Sequence, residues 1–257
     1  TGVDRDARTV SLADDDDPRH RDFLEAVAIA VDGASEYMIR WARHCRDEAG
    51  RRGGDELLEM HAAEMGHLAE HPPETTRQAV QLVYSYHTMM QLDERAAMSF
   101  GRLDQHLAPF YAHDLAAGRT TSAAALAVLE HLFARITVDA DVQNIAVGGV
   151  RSEDGGDATN ELSGMILGAC RRIGLPGGNV TARIHSATPR EFLHRCAACI
   201  ATGIGYPAVF NDDVQIPALI AQGWCERDAR DYCFVGCIEV FAGGRQAPWA
   251  DSRFNLL

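Results

Sequence analysis

The sequence predicts an α/β fold with a mainly helical first half, and three observations carry that prediction. From about residue 137 onward, short apolar runs bounded by glycine and proline alternate with helical periodicities, the pattern of strands joined by helices. Before that point, long stretches repeat apolar residues at helical spacing and stop on glycine or proline. Hydrophobic residues at 46% of 257 leave ample material for a buried core. The expected organisation is a polar linker over 1–17 and a domain over 18–257, helical to about 136 and α/β over about 137–257.

The acidic run Asp14–Asp17 reads as solvated linker, with Asp17 capping a helix that opens on Pro18. Phe23, Val27, Ile29, Ala30, Ala34, Met38 and Trp41 set that helix's apolar positions, and Arg51-Arg52-Gly53-Gly54 turns the chain near Gly50. A second helix runs from about Asp55 to Glu70 and stops before Pro72-Pro73. It carries His61, Glu64 and His67, but the order H-x-x-E-x-x-H precesses round the helix and is not the H-E-x-x-H of a zinc site, so exposed histidines are expected. A third helix, from about Glu74 to Asp93, is rich in Ala79, Val80, Leu82, Val83 and Met89 and reads as core.

Gly101-Arg102-Leu103-Asp104-Gln105 follows, its Arg102/Asp104 pair expected to form a buried structural network, since buried charges are normally paired. Thr121-Ser122 caps a helix over about 123–136, and Asn144–Gly149 reads as a strand ending in a glycine turn. Thr159 or Asn160 starts the next helix; Val180–His185 alternates like a strand; Thr188-Pro189 opens a helix to about Thr202. Pro207–Phe210 is a strand, Ile216–Gln222 a short helix, and Tyr232–Val235 the last strand. No G-x-G-x-x-G follows a strand, so no nucleotide fingerprint is present.

Net charge and hydropathy exclude several functions. A formal charge of −13 argues against nucleic acid, whose phosphates require clustered Lys and Arg. No apolar run approaches the ~18 residues that span a bilayer, and no signal-peptide pattern opens the chain. Seven cysteines without a secreted rhythm fit a reducing cytoplasm.

The chemistry concentrates near the end, in Tyr232-Cys233-Phe234-Val235-Gly236-Cys237-Ile238-Glu239. Gly236 breaks a buried strand just before Cys237, and on extended backbone Cys237 and Glu239 would face the same way. A thiol beside a carboxylate on a loop is a plausible reactive pair; a buried cysteine is also commonly inert packing, and the residues alone leave both readings open.

Gly236-Cys237-Ile238-Glu239 resembles the GCxE cysteine loop of the glycyl radical enzymes, the superfamily of pyruvate formate-lyase and the radical diol dehydratases. Further landmarks occur in the family's order: Gly101–Gln105, Asn160-Glu161-Leu162-Ser163, Arg183-Ile184-His185, Thr202–Pro207 leading into Asn211-Asp212, and Asp228–Tyr232. The resemblance covers about Pro18 to Leu257. It implies part of a ten-stranded barrel of two five-stranded halves wrapped in helices, this chain supplying helical packing and most of the first half.

It also implies a mechanism. In the family a glycyl radical on a C-terminal loop takes hydrogen from the loop cysteine, whose thiyl radical takes hydrogen from the substrate. Cys237 matches that cysteine, and Glu239 matches the carboxylate that acts as base in the radical eliminases. A dry, enclosed pocket is expected around them. The formate-lyases resemble one another in a Cys-Cys pair where this chain has Gly236-Cys237, so a dehydratase or lyase acting on a small polar substrate is expected. The diol dehydratases look like GCVEP followed by a W-H-D loop; here Val240 replaces the proline, and Trp249-Ala250-Asp251 makes Asp251 a substrate-binding candidate. Their His-Ser pair corresponds to Ala96-Ala97, which implies a different substrate. An activating enzyme using S-adenosylmethionine and an iron–sulfur cluster, and a homodimer, are the implied partners.

The family's R-V-x-G-Y radical loop does not occur in the 257 residues. With no initiating methionine and an apolar finish at Phe254-Asn255-Leu256-Leu257, the chain is expected to be a piece of a longer protein, inactive by itself. Two other classes stay open: a non-catalytic interaction scaffold that retains Cys237 and Glu239, and a thiol redox or metal protein built on Cys196, Cys199, Cys225 and Cys233. For Cys196 and Cys199, mid-helix between alanines, helix packing is the expectation.

Overall fold

The computed structural model describes residues 18–92, 97–139, 142–175 and 177–246; the 1–17 linker with its acidic run lies outside them. The chain divides into two compact units, Thr1–Asp93 and Glu94–Leu257.

Among the described residues the first unit contains three helices: α1 (Pro18–Arg51), α2 (Glu56–Glu70) and α3 (Thr76–Gln91). Asp55 caps α2 by accepting from the backbone N–H groups of Leu57 and Leu58, and Thr75 forms a capping box with Gln78 at α3. Met38 and Ala42 of α1 pack on Met65, Leu68 and Ala69 of α2. Glu64 is committed to Arg77, Nη2 to Oε2 at 2.7 Å, while the His67 ring meets the Pro72 carbonyl. Among the described residues no group of three His, Cys, Asp or Glu side chains could hold a metal ion.

The second unit is α/β. Its strands β1 (Ala97–Arg102), β2 (Val142–Gly148), β3 (Gly178–Ile184) and β4 (Ala208–Asn211) form a parallel sheet in sequential order. Helices α4 (Leu103–Ala116) and α5 (Ser122–Val138) link β1 to β2, α6 (Glu161–Ile173) links β2 to β3, and α7 (Arg190–Ile200) links β3 to β4. After β4, α8 (Asp212–Ala221) and the short α9 (Glu226–Arg230) lead to β5 (Tyr232–Val235), which pairs antiparallel with β6 (Glu239–Ala242). The strand β1 lies inside the stretch expected to be helical, which is why the α/β unit begins near residue 94 and not near 137.

Alternation along β2 and β3 sorts their side chains onto two faces. Ile145 lies near Ile136 and Phe133 of α5 around Gly178, which places the odd-numbered residues of β2 on the helix side. Ala146, two residues from Asn144, packs instead in a cluster with Tyr232, Cys233 and Phe234 of the hairpin. Register pairs Ser99 with Asn144, Asn144 with Asn179, Ala146 with Thr181 and Gly148 with Arg183. The hairpin face therefore carries Ser99, Asn144, Asn179, Thr181 and Arg183, a largely polar row set, while the helix face carries Ile145, Val147, Val180 and Ala182.

Candidate active site

A buried ionic frame seats the hairpin. Arg183 and Asp212 are 0% and 1% exposed, and the guanidinium donates to both carboxylate oxygens, Nε to Oδ1 at 3.0 Å and Nη2 to Oδ2 at 2.8 Å. Its remaining donors reach the carbonyls of Tyr232 (2.9 Å) and Arg230 (2.8 Å), and its plane lies 3.9 Å from the Tyr232 ring centroid. The Tyr232 hydroxyl donates to Asp212 at 2.6 Å, and burial pushes that phenol's pKa up. Arg183-Ile184-His185, Asn211-Asp212 and Asp228–Tyr232, scattered in sequence, thus include the members of one network.

A second charged layer joins β1 to it. Arg102 donates to the Gly148 carbonyl (3.2 Å), the Val150 carbonyl (2.7 Å) and Asp231 (3.1 Å). Burial lowers its pKa, and Arg183 adds to this, while Asp104 and Asp231 act in the opposite sense. Asp104 accepts from the Gly148 N–H at 2.8 Å and the Ser163 hydroxyl at 2.5 Å, and burial raises its pKa despite those bonds. Asn160, the N-cap of α6, donates to the Asp104 carbonyl at 3.4 Å. Both residues are buried, but they do not form the expected direct pair: Arg102 takes Asp231 as its carboxylate partner, and Asp104 takes the Ser163 hydroxyl and the Gly148 N–H.

Above this frame β5 runs to a three-residue turn, Gly236-Cys237-Ile238, after which Val235 and Glu239 face each other across the ladder. Gly236 has φ 60°, a left-handed conformation that glycine adopts without penalty. The turn replaces the extended backbone on which Cys237 and Glu239 were expected to share a face. It brings them to one hairpin tip by another route: Cys237 at its apex, Glu239 at the first position of β6, with the Glu239 carboxylate folding back to accept from the Ile238 N–H at 3.1 Å. The thiol of Cys237 is free and exposed. Asn144 donates its side-chain amide to the Gly236 carbonyl. Tyr206 donates to the Asn144 neighbour Asn179 and lies within electrostatic reach of Cys237; burial is the main cause of its raised pKa, with Cys170 and Cys237 adding to it.

The expected dry, enclosed pocket is not built by these residues. Cys237, Ile238 and Glu239 are exposed, because the hairpin seats its tip on one wall, an open sheet of four parallel strands. Asp251 and Trp249 lie outside the described residues, as does Ala96; Ala97 opens β1. Of the remaining cysteines, Cys199 meets the Cys170 thiol and lies near Cys196, while Cys225 and Cys233 have other partners. Cys199 donates to the Leu167 carbonyl at 3.8 Å, Cys233 to that of Phe241 at 3.7 Å, and Cys225 caps α9. Burial pushes Cys196 up to about 12 and Cys233 up to about 11. In the sequence Asn144 reads only as a strand residue and Tyr206 only as part of Thr202–Pro207, since the Asn144 contact links residues 92 positions apart.

A family model described as pyruvate formate lyase-like matches residues 2–257. The chain belongs to the pyruvate formate lyase-like family. Members similar to it include the (2S)-3-sulfopropanediol dehydratase of Klebsiella oxytoca, 29% identical over 254 residues, covering 91% of this chain and 31% of that protein. The probable dehydratase YbiW of Escherichia coli K12 is 33% identical over 246 residues, covering 87% and 30%. Among solved structures, the glycerol-bound B12-independent glycerol dehydratase from Clostridium butyricum superposes with a TM-score of 0.83 at 29% identity, over 93% of this chain and 33% of that one. The chain thus spans about a third of the length of the glycyl radical enzymes it matches, and its sheet, helices and hairpin are part of their α/β barrel. Among the described residues no helix is long and apolar enough to cross a membrane.

Proposed function

We propose that this chain carries the hydrogen-transfer cysteine and the base of a radical dehydratase or lyase acting on a small polar substrate, with Cys237 as carrier and Glu239 as base. The observation that carries the reading is the hairpin tip: a free thiol at the apex and a carboxylate at the next strand's first residue, held on a turn seated by a buried ionic frame. The family's glycyl radical supplies a hydrogen-atom acceptor for the thiol, and Cys237, in no disulfide, has that hydrogen to give.

The chemistry at this chain's residues is an elimination. Cys237, as a sulfur-centred radical, accepts a hydrogen atom from a substrate carbon bearing a hydroxyl. Glu239 accepts that hydroxyl's proton, and the electron density released expels the group on the adjacent carbon as an anion. The thiol then returns its hydrogen atom to the product radical, and the proton leaves with the expelled anion. A base so placed contributes roughly 10²–10⁴-fold. Asp251 is proposed to hold a substrate hydroxyl or amine. The partners proposed are the S-adenosylmethionine-dependent activating enzyme and, within a larger assembly, a second copy of the protein.

The test joins this chain to an R-V-x-G-Y radical segment, in the same polypeptide or supplied as a second one, under anaerobic activation. Cys237→Ala should abolish elimination and Glu239→Gln should slow it by roughly 10²–10⁴-fold. Elimination unaffected by either change would defeat the reading. The 257 residues alone should show no turnover, because R-V-x-G-Y is absent from them. A scaffold would bind its partners equally well with either substitution.

A further inference from the structure

The hairpin tip has one polar anchor that the ionic frame does not supply. Asn144 sits in β2, which is paired to β1 on one side and β3 on the other, so its backbone is fixed by two ladders. The residue is 1% exposed, and its side chain faces the hairpin from the middle of the row Ser99–Asn144–Asn179. Its Nδ2 donates to the Gly236 carbonyl, the carbonyl of the peptide bond whose nitrogen belongs to Cys237. The reverse amide orientation would set two acceptors against each other, so the bond fixes the amide's direction as well as the turn's. Among the described residues Asn144 Oδ1 finds no hydrogen-bond partner, and the buried amide's one directional tie is to the Cys237 peptide.

We propose that Asn144 is the positioning residue for Cys237: by holding the Gly236–Cys237 peptide plane from a strand paired on both sides, it sets where the thiol stands. Without it, the turn is held only at its ends by the paired Val235 and Glu239, and Gly236 between them has other conformations of similar energy. The frame around Arg183 secures Tyr232 and Arg230, four or more residues upstream, and cannot set the direction of the turn. The catalytic significance of the proposal rests on the reading of Cys237 as hydrogen carrier; the positioning contact itself does not.

The experiment is residue-resolved amide hydrogen exchange on this chain, wild type against Asn144→Leu and Asn144→Ser. Loss of the anchor should speed exchange at residues 237–239 by about two- to tenfold, the worth of one net hydrogen bond. Exchange in β2 and β3 should stay unchanged, as should iodoacetamide labelling of Cys170 and Cys199. Unchanged exchange at the tip would overturn the proposal. So would acceleration shared by β2 and β3, which marks a general sheet residue. If neither variant folds, NMR of the wild-type chain decides: the Asn144 side-chain amide protons should exchange slowly, and exchange as fast as an exposed asparagine's would refute the anchor. None of these readouts involves turnover, so a failed anchor is distinguishable from a failed role for Cys237, which the Cys237→Ala assay reads separately.

Discussion

Arg183 grips Asp212 through two guanidinium nitrogens, at 3.0 and 2.8 Å, in an interior where neither side chain meets solvent. Removing one partner of such a pair leaves an uncompensated buried charge, which typically costs about 3–5 kcal/mol. Asp212→Ala should therefore lower the chain's stability by about that amount in urea denaturation. The double variant Asp212→Leu/Arg183→Met should lose less than Asp212→Ala alone, because no charge remains to be desolvated.

Gly149 lies against the same pair. Its φ is +79°, and a Cβ there would stand 2.6 Å from Asp212 Oδ2 and 2.8 Å from the Arg183 side chain. Gly149→Ala meets both a left-handed backbone penalty and a closed wall. It should cost roughly 2–4 kcal/mol, read as a fall in thermal midpoint, whereas Gly118→Ala, open around its Cβ but also at positive φ, should cost about 1 kcal/mol.

Asp104 gives the fold a pH dependence of defined sign. Burial raises its pKa in the folded chain, overcoming attraction to Arg102 and the bonds from Ser163 and Gly148. The folded state thus favours the protonated carboxyl. Its contribution is fully present below the unfolded carboxylate's pKa of about 3.9 and is lost as pH rises through the folded value. Asp104→Asn mimics the neutral form, so its stability relative to wild type should improve as pH rises above about 4. Denaturation curves from pH 4 to 8 measure that difference; a difference independent of pH would contradict it.

Thiol labelling should divide the cysteines by position. Cys225 and Cys237 are exposed, while Cys170, Cys196, Cys199 and Cys233 are buried. With burial pushing Cys196 up to about 12 and Cys233 up to about 11, little thiolate forms at pH 8. Peptide mass spectrometry after brief iodoacetamide treatment should find Cys225 and Cys237 modified first, half-buried Cys45 more slowly, and the four buried cysteines only after unfolding.

Much of the architecture was legible because periodicity and caps are local. The runs read as α1, α2, α5, α6, β2 and β3 begin and end within a few residues of the expected bounds, each marked by Pro18, Asp55, Thr121, Asn160 or a glycine turn. Four elements escaped, among them the five-residue α9 (Glu226–Arg230), too short to show a periodicity. α4 continues through Pro109, a residue that ordinarily signals a break. β1 is short, and Gly101 interrupts its pattern. β6 follows a turn without the Asn-Gly or Asp-Gly signal of a tight hairpin.

At the candidate site, Cys237 and Glu239 were visible as a tetrapeptide, and the Arg102/Asp104 pair as charges needing burial together. Asn144 and Tyr206 were not, since each acts on a partner far away in the chain. A lone asparagine in an apolar run carries no mark of the turn it will meet. The open surroundings of the tip could not be read either, because enclosure depends on how a sheet closes and not on any one residue.

The two-residue period of β2 and β3 has an evolutionary consequence. Positions facing the helices and positions facing the hairpin alternate, so a single point change is felt by one layer with little disturbance of the other. A backbone of this kind lets one layer accept substitutions while the intervening residues go on specifying the other layer.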